Sequence, residues 1–378
     1  MAVLVVAAAV CVLSGLLPEP DAQALGLRIA PVLGFVVAIT VVAELARDAA
    51  VFDVLSQHLA RWGRGRVILL WAAVVALAVC STVFLSLDTT AVIVTPVVVL
   101  LAQSVGVSPL PFALATVWLA NTASLALPVS NLTNLLAAQR MGGDPAAFLA
   151  LSAAPALVGI AIPVAILTVV HRRTLFGVYR VPERGVVSDP VLFWAASGVL
   201  IVLLPLLALV TEVWVPATVA ALVLVGLFAF RRRHVLRASL VPWRAIALAV
   251  ALFALVETAH AQGLLGFLDA LASRGEGPWQ LLGLAAAGAV TANGVNNLPA
   301  YLILEPSALT PVALMAVLIG VNLGPLVTPW ASLATLLWHH RVVSLGVRIR
   351  WGSLMLWGLA VAVPTVVAAA LVLALVSG

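Results

Sequence analysis

The chain has 378 residues, of which 64% are hydrophobic and only 9% charged, where a soluble domain is nearer half apolar and a quarter charged. So few charges cannot keep a body of this size in water, which excludes a soluble enzyme and a nucleic-acid binder. The net charge of +5 is carried by arginine without a single lysine, and reads as a topology signal for a membrane chain.

Apolar runs of spanning length, about 20 residues each, recur from end to end. They lie near 1–17, 29–46, 67–87, 89–104, 111–139 (broken), 147–170, 190–210, 213–230, 243–261, 279–293, 297–306 (short), 310–340 (broken) and 354–376. The pattern predicts an all-α, polytopic membrane protein with about 11 to 13 embedded segments, some of them re-entrant. The first run lacks a basic stretch before it and reads as a retained helix rather than a signal peptide. Cys11 and Cys80 both fall inside apolar runs, so no disulfide, metal or cofactor framework is expected.

The arginines cluster at Arg61, Arg64 and Arg66; at Arg172, Arg173, Arg180 and Arg184; at Arg231, Arg232, Arg233, Arg237 and Arg244; and at Arg341, Arg348 and Arg350. Short arginine-rich loops stay cytoplasmic. The alternation is self-consistent for a multi-pass protein of the cytoplasmic membrane with a cytoplasmic N-terminus.

Two internal matches point to a repeat. At a constant offset of 213, Glu44 falls on Glu257, Leu55 on Leu268 and Arg61 on Arg274. At an offset of 201, Asn121 falls on Asn322, Pro128 on Pro329 and Leu132 on Leu333. The arginine pattern places the two halves in opposite orientation, so 1–189 reads as a first repeat, 190–212 as a linking helix and 213–378 as a second, inverted repeat. Inverted repeats place a transporter's site at their interface near the membrane midplane.

The polar residues at membrane depth gather there. The first half carries Asp88, Thr89 and Thr90, then Asn121 and Thr122, then Ser130, Asn131 and Asn134; the second carries Asn296 and Asn297, then Asn322, Thr328 and Ser332. Prolines lie among them, at Pro96, Pro128, Pro299, Pro325 and Pro329. Proline removes a backbone donor and breaks a helix, and in lipid the freed groups need partners. Amide and hydroxyl side chains supply them, and the half-helix ends so formed hold polar solutes. These residues are therefore the candidate substrate-binding set.

A carboxylate at membrane depth is costly and usually functional. Asp88 is the candidate coupling group, with the repeat mates Glu44 and Glu257 as further carriers, while Glu212 and Glu305 read as interfacial. No phosphate loop of the GxxxxGK[ST] type, no HExxH and no GxSxG occurs, so enzymatic chemistry is not expected.

The segments GPLVTPWASLATLLWHH (324–340), SLDTTAVIVTPVVVL (86–100), ANTASLALPVSNLTNLL (120–136) and NNLPA (296–300) resemble the arsenite/antimonite efflux permeases. That family belongs to the ion transporter superfamily, with the NhaD-type sodium/proton antiporters and the dicarboxylate/sodium symporters. The resemblance implies export of arsenite or antimonite in exchange for protons, a homodimer and, in some members, a cytoplasmic ATPase subunit. By matched position it assigns the site to Asp88, Thr89, Asn121, Ser130, Asn131, Asn296, Asn297, Asn322, Thr328 and Ser332. Family members often carry lysine in the GPxxTP segment, where this chain has Leu326. Sodium/proton exchange and anion or dicarboxylate transport are the alternatives within the superfamily.

Overall fold

The computed structural model describes residues 2–181, 189–264 and 276–377, so Arg184, Leu268 and Arg274 lie outside the described residues. Helices form nearly all of it, and eight are long and apolar enough to cross a membrane. In chain order, α1 (Ala2–Leu13) and α2 (Glu19–Asp48) are followed by α3 (Val51–Trp62), α4 (Val67–Phe84) and α5 (Leu87–Ser104). Then come α6 (Leu110–Thr122), α7 (Leu132–Arg140), α8 (Pro145–Val170), α9 (Pro190–Leu209), α10 (Trp214–Arg231) and α11 (Trp243–Ala261). The last are α12 (Pro278–Val295), α13 (Asn297–Leu304), α14 (Pro311–Leu323), α15 (Leu333–Ser344) and α16 (Trp351–Ser377). The sequence reading has no counterpart for α3, whose apolar residues Phe52, Leu59 and Ala60 turn inward on one face, as a helix lying along the membrane boundary requires.

Local chemistry sets the ends. Asp144, Asp189 and Thr310 each accept a backbone N–H of the first turn that follows, and proline follows each of them, where its missing donor costs nothing. In α5, Thr90–Val94 forms a π turn. Pro96 has no N–H to give the preceding turn, and the wider turn absorbs the mismatch. The Thr95 hydroxyl lies 3.0 Å from Thr90 O and 2.9 Å from Thr116 Oγ1, with its one proton to give to either, and brings α5 against α6.

Helices α4 and α5 make a hairpin. The start of α4 meets the end of α8, with Trp71 Nε1 donating to Thr168 Oγ1 (3.0 Å). The end of α5 reaches the loop after α15, with Gln103 Nε2 donating to Leu345 O (3.0 Å). Helix α3 packs on both arms, so the hairpin opens toward the arginine-rich face. The second hairpin, α12–α13, opens the other way. Gly288 lies against Val317 and Gly320 while Asn293 reaches Gly324, so α12 runs parallel to α14, and α13, about 12 Å long, turns back. A Cβ on Gly288 would sit 2.9 Å from Val317 O, and glycine is what lets the two helices approach so closely. Each hairpin is followed by a broken helix (α6–α7, α14–α15) and a long helix (α8, α16) that pack on one another. Helices α1, α2, α10 and α11 pack together as a separate flank.

Candidate functional site

The hairpins turn at Ser86 (φ 142°, ψ 164°) and Asn296 (φ 118°, ψ 154°). Positive φ is strained for any residue with a Cβ, and such strain concentrates at functional sites. Each of the two caps the helix it opens: Ser86 Oγ accepts from Thr89 N (3.2 Å) and Asn296 Oδ1 from Leu298 N (3.3 Å). Three residues before each turn, a carbonyl is held by the unwound stretch of the neighbouring broken helix. Val83 O accepts from Ser130 Oγ (2.8 Å); Asn293 O accepts from Thr328 Oγ1 (2.7 Å) and Trp330 Nε1 (2.9 Å).

The two broken helices share one backbone path. Pro128–Ser130 and Pro329–Ala331 are single 3-10 turns. Asn131 (φ −152°) and Ser332 (φ −141°) then start α7 and α15 in extended conformation. Four helix N-termini thus begin at Ser86, Asn131, Asn296 and Ser332, and all four residues line one cavity of about 120 Å³. Asp88, Asn297 and Thr40 complete its polar lining, while α2 and α11 supply an otherwise apolar wall that includes Phe35 and Leu252. Among the described residues no arginine or histidine lines it. Asp88 opens into this space with no hydrogen bond or ion pair from a described residue. Four half-helix dipoles aimed at one volume favour oxygen-rich solutes and offset the cost of one carboxylate.

Below the cavity an amide clamp joins the halves. Asn322, at the end of α14, accepts from Asn131 Nδ2 (2.8 Å) and Thr133 Oγ1 (3.1 Å) and donates to Asn134 Oδ1 (2.6 Å). Asn121, its mate at the end of α6, donates to Thr335 Oγ1 (3.5 Å), the mate of Asn134. The reciprocity is incomplete. The mate of the Asn131–Asn322 bond would join Ser332 Oγ to Asn121 Oδ1, and both of those atoms are buried without a partner. Serine is shorter than asparagine, so one bond of the pair is made and its mirror is not.

The remaining expected residues fall around this centre. Thr89 bonds Ser86, and Thr90 bonds Thr82 and Ser81, so both close the first hairpin. Ser130 and Thr328 hold the hairpin carbonyls, and Asn134 holds Ser124 O (2.7 Å) and Leu127 O (3.0 Å) across the break. Thr122 is buried with its hydroxyl unpaired. Glu44 lies one turn beyond Thr40 on α2 and does not line the cavity; it is paired with Arg47 (2.6 Å) near the end of that helix. Glu257 lines a separate recess on the arginine-poor face with Arg28, Arg140, His260 and Glu305. Glu305, read from sequence as interfacial, is 3% exposed. It pairs with Arg28, lies 3.7 Å from Arg140 and accepts from Tyr301 Oη (3.1 Å). The arginines lie more than a hundred residues before it in sequence, so no local signal marks the cluster.

The family described as citrate transporter (CitMHS) matches residues 1–313. An arsenical pump membrane protein of Yersinia enterocolitica is 29% identical over 358 residues, covering 87% of this chain and 82% of that protein. One from Escherichia coli K12 is 28% identical with the same coverage. The crystal structure of the Alcanivorax borkumensis YdaH transporter superposes with a TM-score of 0.59 at 16% identity, over 92% of this chain and 85% of that one.

Proposed function

Since the chain belongs to the citrate transporter (CitMHS) family, a family of membrane transporters, we propose that it exports arsenite or antimonite across the cytoplasmic membrane in exchange for protons. The observation that carries this reading is the cavity of about 120 Å³ where four helix N-termini meet, its polar groups being neutral amides and hydroxyls and one carboxylate against an apolar wall. Pockets for organic ligands run to roughly 300–1,000 Å³, so this one suits a small inorganic solute. A carboxylate substrate would meet Asp88 with no cationic side chain to offset the repulsion. Arsenite at neutral pH is chiefly the uncharged trihydroxide, which needs donors and acceptors rather than a charge clamp. Asparagine offers both, and so does each hydroxyl. The relatives titled as arsenical pumps support this choice over citrate.

The cavity lies between the hairpin bundle and the flank made by α2 and α11, where alternating access by movement of one body against the other is natural. Ionised Asp88 accepts an O–H of the bound trihydroxide. A proton arriving from outside occupies that same oxygen, removes the acceptor and releases the solute. Proton and substrate thus exclude each other, which is the requirement for exchange. The direct groups in this scheme are Asp88, Asn131, Asn296, Asn297 and Ser332. Asn121, Asn134, Asn322, Ser130, Thr328, Thr89 and Thr90 hold the surrounding backbone in register, and Thr122, buried with its hydroxyl unpaired, has no assigned contact. The repeats are taken as 1–189 and 213–378, with the arginine-rich face cytoplasmic.

Everted vesicles test the reading. Arsenite uptake should follow an imposed proton gradient, should not respond to citrate or succinate, and should disappear in Asp88→Asn. Full proton-coupled uptake in that variant, or a sodium gradient driving transport where protons do not, refutes the scheme.

A further inference from the structure

A second recess, about 360 Å³, opens on the arginine-rich face between α6, α8 and α16. Its floor is apolar: Leu114 of α6, Leu167 of α8 and Leu354 of α16 line it. Val170 and Trp357, also in its wall, are each 44% exposed, on helices whose outer faces are otherwise apolar and so lie against acyl chains. The rim is basic. Arg348, Arg350 and His171 line it, and no acidic residue among those described does. Neither arginine makes an ion pair with a described residue. Trp118, 2% exposed in the same wall, has its indole N–H unpaired.

The basic rim is held in place. Arg348 and Arg350 flank Ile349 on a short extended stretch. His339 Nε2 lies 3.3 Å from Ile349 O and its ring stacks on Trp351 at 3.8 Å. Burial holds His171 below its ordinary pKa, so near neutral pH it serves as a hydrogen-bonding imidazole and leaves the charge to the two arginines.

We propose that this recess binds an anionic phospholipid of the adjoining leaflet, its phosphate between Arg348 and Arg350 and an acyl chain along Leu114, Leu167 and Leu354. Basic pockets between membrane helices are suited to such headgroups, and guanidinium pairs phosphate through parallel hydrogen bonds. Free phosphate would leave the apolar floor uncovered, while a zwitterionic lipid would meet the rim with no net negative charge. The recess touches α6, the half-helix that ends at Asn121, so an occupant there braces one wall of the amide clamp.

The test uses the purified full chain in detergent, with native mass spectrometry and thermal unfolding as readouts. The probes are phosphatidylglycerol, phosphatidylcholine and inorganic phosphate. Phosphatidylglycerol should be retained and should raise the unfolding midpoint, and the other two should do neither. Arg348→Gln/Arg350→Gln should bind it roughly thirtyfold more weakly, from the contribution of two surface arginines. Arg61→Gln/Arg64→Gln, a pair on the same face outside the recess, should bind as the wild type does. Unchanged retention in the first double variant, equal retention of phosphatidylcholine, or the same midpoint shift from inorganic phosphate would overturn the proposal. Should that double variant not fold, Arg350→Gln alone decides on the same criteria.

Discussion

Asn322 and Asn121 hold matched places in the sequence, at an offset of 201, and are equally buried, each 1% exposed, yet the structure gives them different work. Replacing Asn322 by alanine removes the partner of Asn131 Nδ2, Thr133 Oγ1 and Asn134 Oδ1. The threonine hydroxyl can rotate to another acceptor, so two groups are orphaned. At about 1–3 kcal/mol for each buried unsatisfied group, the cost is about 2–6 kcal/mol. Asn131 lines the cavity and recovers part of this through water, which brings the expectation to about 2–4 kcal/mol. Asn121→Ala removes one long contact to Thr335 and a bond to its own helix at Val117 O (2.9 Å), and it also removes an unpaired buried oxygen. Its cost should be about 1 kcal/mol or less. Thermal and denaturant unfolding in one detergent compares the two variants directly. The reasoning fails if Asn121→Ala is as destabilising as Asn322→Ala, or if Asn322→Ala unfolds with the wild type.

Other consequences follow from the same geometry. Ser332→Asn should reach Asn121 Oδ1 and make the missing mirror bond. It should stabilise the protein by about 1 kcal/mol while slowing transport, both measurable on one preparation; faster transport would count against the clamp. Glu305→Gln should loosen the contact between α2, α7 and α13. Breaking a buried pair costs about 3–5 kcal/mol, and with Arg28 and Arg140 over a third exposed at their side chains the expectation falls to about 1–3 kcal/mol. In a background lacking Cys11 and Cys80, Leu302→Cys should then react faster with an impermeant maleimide added from the arginine-poor side. Asp189 caps α9 through Val191 N and Leu192 N (3.2 Å each). That backbone hydrogen bonding, first from Leu192 and then helped by Arg231, holds its carboxyl below the ordinary 3.8. A depressed carboxyl supports the fold above its unfolded value and loses that support only as pH falls through the folded one. Asp189→Asn should therefore change the amplitude but not the shape of the transport profile between about pH 5 and 8.

The sequence alone determined the solvent, the class of fold and the place of the breaks. Composition forces the chain into lipid, and the prolines that fall among amide and hydroxyl residues, Pro128 and Pro329, mark the breaks, whereas Pro31, Pro155, Pro163, Pro205 and Pro364 sit inside continuous helices. The match of Pro128 with Pro329 and of Asn131 with Ser332 is a match of backbone path, because proline and a following extended cap dictate conformation within a few residues. What only the tertiary structure decided is which polar groups face the solute and which hold the frame. Thr89, Thr90, Asn134 and Asn322 look no different in sequence from Ser332 or Asn297. Apart from the bond of Thr89 to Ser86 in its own cap, their hydrogen bonds reach residues outside their own helices, and partner choice is fixed by packing rather than by spacing. The same holds for Glu305, whose arginines Arg28 and Arg140 lie far back in the sequence, and for the strained turns at Ser86 and Asn296. Side chains that suit a cap are common, whereas a positive φ at a residue other than glycine is imposed by the surroundings that hold it there.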